Sequence, residues 1–449
     1  MPILYILLRP FCLICLNIYY RINVNGKERV PNNTPIIFAP SHSNGFVDPV
    51  IIAMQFSRKV RFFARGDVFK GKVAKFMLNQ MNTSPMYRMQ EGYAEIKKND
   101  KSFEECKTRL SKDQIILIFP EGIANHDRRL FSLKKGLSRI ALQTMESLDY
   151  KKEILVVPIA LNYVAQKHFR SKVYIEVGEP ISVKSYEEKY KKDKVRTINE
   201  LTKNLEEKLA SYVHHIDNPE NDQLVANIEE VYTFQLLKEK ELNTNLLVNH
   251  ALASDEIIKM VNVLSSNKPD VIADLKVKMN NYIQLLSKNR LRDHLLREEN
   301  INKMNFGTFL LEYLIIYLGT PLYFIGLVLN YLPYYVAKKM ADKKVKKAEF
   351  YASFRANLSL IFWTFYFFLE LIVGGLLLKN WLLLGLFALT IIFSGVFVIK
   401  FYPVMKKILG RWRLLRMVRK DRQTVERIVS ERNIVMNELA LAKELFLSK

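Results

Sequence analysis

Ser41-His42-Ser43-Asn44-Gly45-Phe46-Val47-Asp48-Pro49 is the segment best equipped for chemistry. His42 and Asp48 have five residues between them. A chain that turns straight from a strand into a helix here brings the carboxylate round to the imidazole Nδ1. An imidazole so held keeps its other nitrogen free to take a proton from a hydroxyl. The substrate's own alcohol can then attack a thioester, with no serine relay. By itself the pair proves little, because a His six positions before an Asp in a turn is a common accident.

A second group is Phe119-Pro120-Glu121-Gly122, followed by Leu133-Lys134-Lys135-Gly136 and the helical pattern GLSRIALQTM. A strand ending in Pro-Glu-Gly exposes a carboxylate at a tight loop, and Lys134 leads into a helix whose N-terminal amides can hold an anion. The plainer alternative is a loop beside a solvated lysine pair. Arg65 and Arg88, the latter in Pro85-Met86-Tyr87-Arg88, stand at the ends of expected strands. Guanidinium forks match phosphate oxygens, although an isolated Arg is more often a surface ion-pair partner. Val157-Pro158-Ile159-Ala160 reads by default as core strand.

These residues need a scaffold, and the sequence supplies one between about residues 23 and 185. Short β-rich runs at Ile36–Ala39, Val60–Ala64, Ile115–Phe119, Ile154–Ala160 and Val173–Val177 alternate with helical patterns. That rhythm predicts an α/β domain with a mainly parallel or mixed sheet. His42, Arg65 and Glu121 each follow a strand directly, where ligands gather in open α/β sheets.

The 449 residues carry 68 Lys plus Arg against 45 Asp plus Glu, a formal charge of +23, and 49% are hydrophobic. A basic balance fits nucleic acid, anionic lipid or a phosphorylated substrate. The apolar residues decide, because they concentrate in Phe309–Ala337 and Leu358–Tyr402 while 186–305 is polar and charged. The chain is read as a membrane protein with a soluble bulk. Most Tyr and Phe lie in those stretches, against nucleic-acid binding. Cys12, Cys15 and Cys106 make no disulfide framework, and no Cys/His cluster has metal-ligand spacing. Gly66-x4-Gly71-Lys72 resembles a nucleotide loop but has Val73 where a Ser or Thr must hold magnesium. His168, His214, His215, His250 and His294 lack companion ligands.

Five segments follow. Residues 1–22 form an uncleaved apolar helix that Arg9-Pro10 divides into pieces too short to span, so an interfacial position is expected. Residues 23–185 are the α/β domain and 186–305 a helical domain. In the membrane region, 306–402, the stretch 309–337 is broken at Gly319-Thr320-Pro321 and should re-enter, while 358–378 and 381–402 form a transmembrane hairpin. That arrangement keeps the basic segments Lys338–Lys347 and Lys406–Lys420 together on the cytoplasmic side, as the positive-inside rule asks. Glu370, a carboxylate inside a span, should face a partner helix or water. The tail, 403–449, is a basic amphipathic helix for the membrane surface or a partner.

Taken in order, the motifs resemble those of the membrane-bound glycerolipid acyltransferase family, over about residues 20–185. The resemblance implies an acyltransferase domain transferring a fatty acyl group from acyl-CoA or acyl-carrier protein to glycerol 3-phosphate, dihydroxyacetone phosphate or 1-acylglycerol 3-phosphate. It implies His42 as base and Asp48 as its orienting carboxylate. Arg88, Glu121, Gly122, Arg65 and Lys134 would serve the acceptor phosphate and Pro158 the acyl-donor side. No metal or redox cofactor is implied, and anionic lipids are expected partners. Most members have four residues between His and Asp; the five here, with Asn44 and Phe-Val-Asp-Pro, are similar to a branch acting on glycerol 3-phosphate and dihydroxyacetone phosphate. Ile123-Ala124-Asn125 replaces the usual Thr-Arg-Ser, which leaves the acceptor open. A non-catalytic lipid-binding scaffold is the alternative from another class.

Overall fold

Ile36, Ile37, Phe38 and Ala39 are apolar at every position, the pattern of a strand covered on both faces, and all four are fully buried. They open the central strand of the sheet in a computed structural model. The structure describes residues 3–45, 47–69, 71–86, 99–125, 127–165, 169–297, 306–345 and 348–448. The chain divides into two units, Met1–His215 with Lys347–Ser353, and Ile216–Lys346 with Phe354–Lys449.

In the first unit, α1 (Ile3–Tyr19) leads into β1 (Tyr20–Asn25), β2 (Ile36–Pro40), α2 (Asp48–Gln55), β3 (Val60–Arg65), α3 (Lys72–Gln80) and β4 (Thr83–Met86). Then come α4 (Asn99–Ser111), β5 (Ile115–Leu117), α5 (Gly136–Ser147), β6 (Leu155–Tyr163), β7 (Ser171–Val177), β8 (Ile181–Ser182), α6 (Glu187–Lys192) and α7 (Lys194–Tyr212). The strand order is β1-β7-β6-β2-β5-β3-β4, with β8 on β6. Strands β6, β2, β5, β3 and β4 run parallel, whereas β7 and β8 oppose β6. The expected mixed sheet is therefore present, and the parallel block places the carboxyl ends of β2, β5, β3 and β6 along one edge. The register sets Phe38 beside Leu117 and Ala39 beside Pro158.

Two expectations for this unit change. Helix α1 runs through Arg9-Pro10 without a break. Arg9 donates to the carbonyls of Phe56 and Ser57 after α2, so its charge serves as a cap for backbone oxygens. Residues 186–215 are not part of the helical domain that 186–305 was expected to form. Leu201, Leu205 and Leu209 of α7 join the sheet core with Ile37, Ile116, Leu137, Ile140 and Met145. An amphipathic pattern announces an apolar face but not what covers it.

The second unit begins with α8 (Asp222–Glu239), α9 (Leu247–Asn267) and α10 (Pro269–Lys288), and continues with α11 (Phe306–Lys344), α12 (Ala348–Leu378), α13 (Trp381–Lys420) and α14 (Arg422–Leu447). The tail expected over 403–449 is divided at Asp421: residues 403–420 continue α13, and only α14 is a separate helix, whose partner is the chain itself. Ile428, Val435, Leu439 and Ala442 of α14 pack into one core with Val225, Ile228, Val261, Leu264 and Met279. Helices α11, α12 and α13 are each long and apolar enough to cross a membrane.

The expected break in the first membrane stretch is absent, because α11 is continuous over 39 residues. Thr320 Oγ1 bonds back to the Ile316 carbonyl at 2.6 Å, beside the site where Pro321 supplies no donor. Gly319 has a packing role: a Cβ there would lie 2.3 Å from the Phe401 ring, and one at Gly326 would lie 2.5 Å from the Ser394 carbonyl oxygen. Small residues let helix backbones approach closely. Thus the extended partner of α13 is α11, not α12. The two run antiparallel, with Glu312 on Arg411 at 2.5 Å and Trp412 at 3.1 Å toward one end, and Asn330 on the Ile391 carbonyl at 3.2 Å farther along. Lys338–Lys344 and Lys406–Lys420 therefore leave this pair at opposite ends rather than together. Helix α12 meets α11 through Trp363 Nε1, 2.8 Å from Asn330 Oδ1. Glu370 on α12 is half-buried.

Candidate active site

Strand β2 ends at Pro40, and Ser41 makes the turn rigid. Its amide donates to the Ile159 carbonyl at 2.9 Å, and its Oγ accepts from the Leu161 amide at 2.9 Å. His42 comes next, already anchored on both sides. Asp48, the first residue of α2, reaches back, and its Oδ2 lies 3.0 Å from His42 Nδ1. The same oxygen accepts from the backbone amides of Ser43 at 2.8 Å and Asn44 at 2.6 Å. Oδ1 accepts from the Tyr163 hydroxyl at 2.6 Å. Four donors thus converge on a carboxylate that is 0% exposed, which offsets the cost of taking it out of water. Because a carboxylate accepts, Nδ1 carries the proton and Nε2 is left as the basic nitrogen. The ring stacks on Phe119 with centroids 3.7 Å apart, while its side chain remains 12% exposed.

Glu121, at the turn after β5, sits beside this pair for another reason. Its Oε1 accepts from the His42 amide at 2.8 Å, and Oε2 accepts from the Phe131 amide at 3.0 Å. The side chain is 2% exposed. It ties the loop carrying His42 to the loop 122–135. Burial pushes its carboxyl up to about 7, against the pull of those two amides and with a smaller upward push from Asp48. Gly122 follows at φ +73°, a conformation that favours glycine. The Asn125 amide also donates to the His42 carbonyl at 2.9 Å.

The 122–135 loop is held from its far side by a segment that sequence patterning had assigned elsewhere. His215 Nδ1 accepts from the Leu130 amide at 3.1 Å, and Glu206 of α7 accepts from the Leu133 amide at 3.5 Å. Within the loop, Arg129 lies over the Phe131 ring at 4.6 Å and pairs with Asp127 at 3.5 Å. Arg129 thus stands on the same loop as Phe131, whose amide Glu121 holds.

The other expected site residues divide. Lys134 is exposed, and its amide donates to the Pro120 carbonyl at 2.7 Å, just before α5. A Cβ on Gly122 would sit 3.5 Å from Lys134 Cγ, so these two are neighbours. The backbone of Arg65 ends β3, on the sheet edge that also carries His42 and Glu121. Arg88 lies outside the described residues. Pro158 is buried within β6 opposite Ala39, so the core-strand reading describes its place. Sequence reasoning missed Tyr163, the donor to Asp48 Oδ1. Its sequence signal was a tyrosine at the end of a strand parallel to β2.

Comparison with known proteins bears on the same segment. Residues 21–162 match the acyltransferase family model. The chain is 30% identical to glycerol-3-phosphate O-acyltransferase 2 of Saccharomyces cerevisiae, over 42% of this chain and 25% of that protein. It is 26% identical to the chloroplastic 1-acyl-sn-glycerol-3-phosphate acyltransferase LPAT1 of Arabidopsis thaliana, over 32% of this chain and 36% of that one. It is 18% identical to the solved 1-acyl-sn-glycerophosphate acyltransferase PlsC of Thermotoga maritima, covering 46% of this chain and 79% of that chain, with a TM-score of 0.33. The matched segment thus spans about a quarter to a third of the two curated relatives' length. Over residues 21–162 the chain is similar to the acyltransferase family model and, at modest identity, to glycerolipid acyltransferases.

Proposed function

We propose that the protein is a glycerolipid O-acyltransferase that moves a fatty acyl group from acyl-CoA or acyl-carrier protein to the hydroxyl of glycerol 3-phosphate or dihydroxyacetone phosphate. The observation that carries this reading is His42 held through Nδ1 by the buried Asp48, with every other donor to that carboxylate supplied from within the protein. His42 Nε2 takes the proton of the acceptor hydroxyl as its oxygen bonds to the thioester carbonyl carbon. The tetrahedral oxyanion collapses, the carbon–sulfur bond breaks, and the imidazolium returns its proton to the leaving thiolate. The two substrates and one imidazole balance the reaction, so no metal or redox cofactor is assigned.

For the acceptor phosphate we assign Arg65, Arg88 and the exposed Lys134 as the cations, with Gly122 keeping the loop close. Glu121 has both oxygens on backbone amides and supports the site by fixing His42. The names of the yeast and Arabidopsis relatives support a phosphorylated glycerol acceptor, with 1-acylglycerol 3-phosphate as the second candidate. The apolar helices support a membrane location. We place the acyltransferase domain on the cytoplasmic face of that membrane, where basic groups meet anionic headgroups.

Membranes containing the full chain should convert labelled glycerol 3-phosphate and acyl-CoA to the acylated product, and His42→Ala should lower the rate by about 10³-fold. Preference for 1-acylglycerol 3-phosphate in the same assay would select the second acceptor. Lipid binding with no product from either acceptor would instead identify a non-catalytic scaffold.

A further inference from the structure

A carboxylate that orients an imidazole also sets how readily that imidazole holds a proton, so whatever else binds the carboxylate tunes the base. Asp48 Oδ2 serves His42 and two backbone amides, which no side-chain change can alter directly. Oδ1 accepts from the Tyr163 hydroxyl at 2.6 Å. Tyr163 belongs to β6, 115 residues from Asp48, and is 6% exposed. Its ring meets that of Tyr20 edge-on, with centroids 5.8 Å apart. The fully buried Asn44 donates from Nδ2 to the Tyr20 hydroxyl at 3.0 Å and also hydrogen-bonds Tyr163. The phenol is thus fixed in position by the sheet, by a neighbouring ring and by a buried amide.

We infer that Tyr163 is a positioning residue that acts through Asp48: its hydroxyl takes up part of the carboxylate's charge and thereby limits how firmly His42 holds a proton. The effect on turnover rests on the acyltransferase reading; the effect on His42 itself does not. Without the phenol, the carboxylate's charge is turned wholly on the imidazole. The imidazolium is stabilised, the His42 titration midpoint rises, and less free base is present at neutral pH.

The test follows carbethoxylation of His42 by diethyl pyrocarbonate against pH, read by mass spectrometry on the full-length protein in detergent, because only the unprotonated ring reacts. Tyr163→Phe should raise the midpoint by about half a pH unit. Replacing Tyr163 by 3-fluorotyrosine, a stronger donor of nearly the same shape, should lower it, which guards against loss of fold in the Phe variant. Tyr20→Phe disturbs the same buried cluster without removing a hydrogen bond to Asp48 and should move the midpoint less than Tyr163→Phe does. Where acyl transfer is measured, the acid limb of kcat/KM should move with the midpoint, and kcat should fall about threefold below the midpoint with little change in KM. An unmoved midpoint in both Tyr163 variants, or an equal shift in Tyr20→Phe, overturns the inference. Shifted midpoints in a protein without acyl transfer would sustain it and overturn the functional reading instead.

Discussion

The loop around His42 and the helix pair α11/α13 solve opposite problems. At His42 the difficulty is polarity inside. Asp48 and Glu121 are buried carboxylates, and each is held by amides or a hydroxyl at 2.6–3.0 Å. In the helix pair the difficulty is apolarity outside, since Leu318, Val328, Leu382 and Phe393 are all widely exposed in the protein alone. There, beside a few polar ties, close approach depends on what is missing, namely the side chains of Gly319 and Gly326. One region is specified by donors that must be present and the other by atoms that must be absent. Their tolerance to substitution should differ accordingly.

The largest effect should come from the donor-specified region. His42→Ala removes the base, and Asp48→Asn turns an acceptor toward donors, so each should lower kcat by about 10³-fold. Both can be read in the same labelled-acceptor assay, with melting in detergent as the control for folding. The next effect is all-or-none but concerns placement rather than rate. Single cysteines at Lys343 and Arg416, in a chain cleared of Cys12, Cys15 and Cys106, should react with an impermeant maleimide from opposite faces. Labelling of both from one face would restore the re-entrant arrangement. A smaller change comes from adding atoms: Gly326→Leu drives a side chain against the Ser394 carbonyl and Val398 and should destabilise the second unit by about 3 kcal/mol, measured by melting.

What the sequence disclosed follows the same division. The strand at Ile36–Ala39, the α/β class of the sheet and the reach of Asp48 to His42 were legible, because each can be read from local runs of residues. Tyr163 was not legible, since only the parallel pairing of β6 with β2 brings it near Asp48. Glu121 was legible as a turn carboxylate but not as a tie between two loops, because its partners are backbone amides, which every residue but proline has. Gly319-Thr320-Pro321 has the composition of a break, yet glycine against Phe401 is a packing device. Whether glycine ends a helix or admits a neighbour depends on that neighbour. Helix α7 fell on the wrong side of a boundary for a similar reason: Leu201, Leu205 and Leu209 look alike whether they meet a sheet or another helix.

Glu121 gives the finest test of how the polar region is held, because two forces act on it in opposite directions. Burial favours the neutral acid and raises its titration from an ordinary value near 4.5 to about 7, while the His42 and Phe131 amides favour the charged form. The folded protein therefore binds more protons than the unfolded chain between those values, and this group's contribution to stability falls as pH rises through that window. Below about 4.5 the side chain is neutral in both states, and above about 7 it is charged in both, so the loss is complete there. Glu121→Gln cannot ionise, so it removes this dependence, although it keeps only one good acceptor for the two amides. Melting of the parent relative to Glu121→Gln should decline by roughly 1 kcal/mol per pH unit from pH 5 to 7 and then level off. A difference that stays flat over that range would mean the two amides outweigh burial and the carboxylate is charged throughout. The His42 loop would then be tied by a charge-assisted pair of bonds at every pH where the protein works.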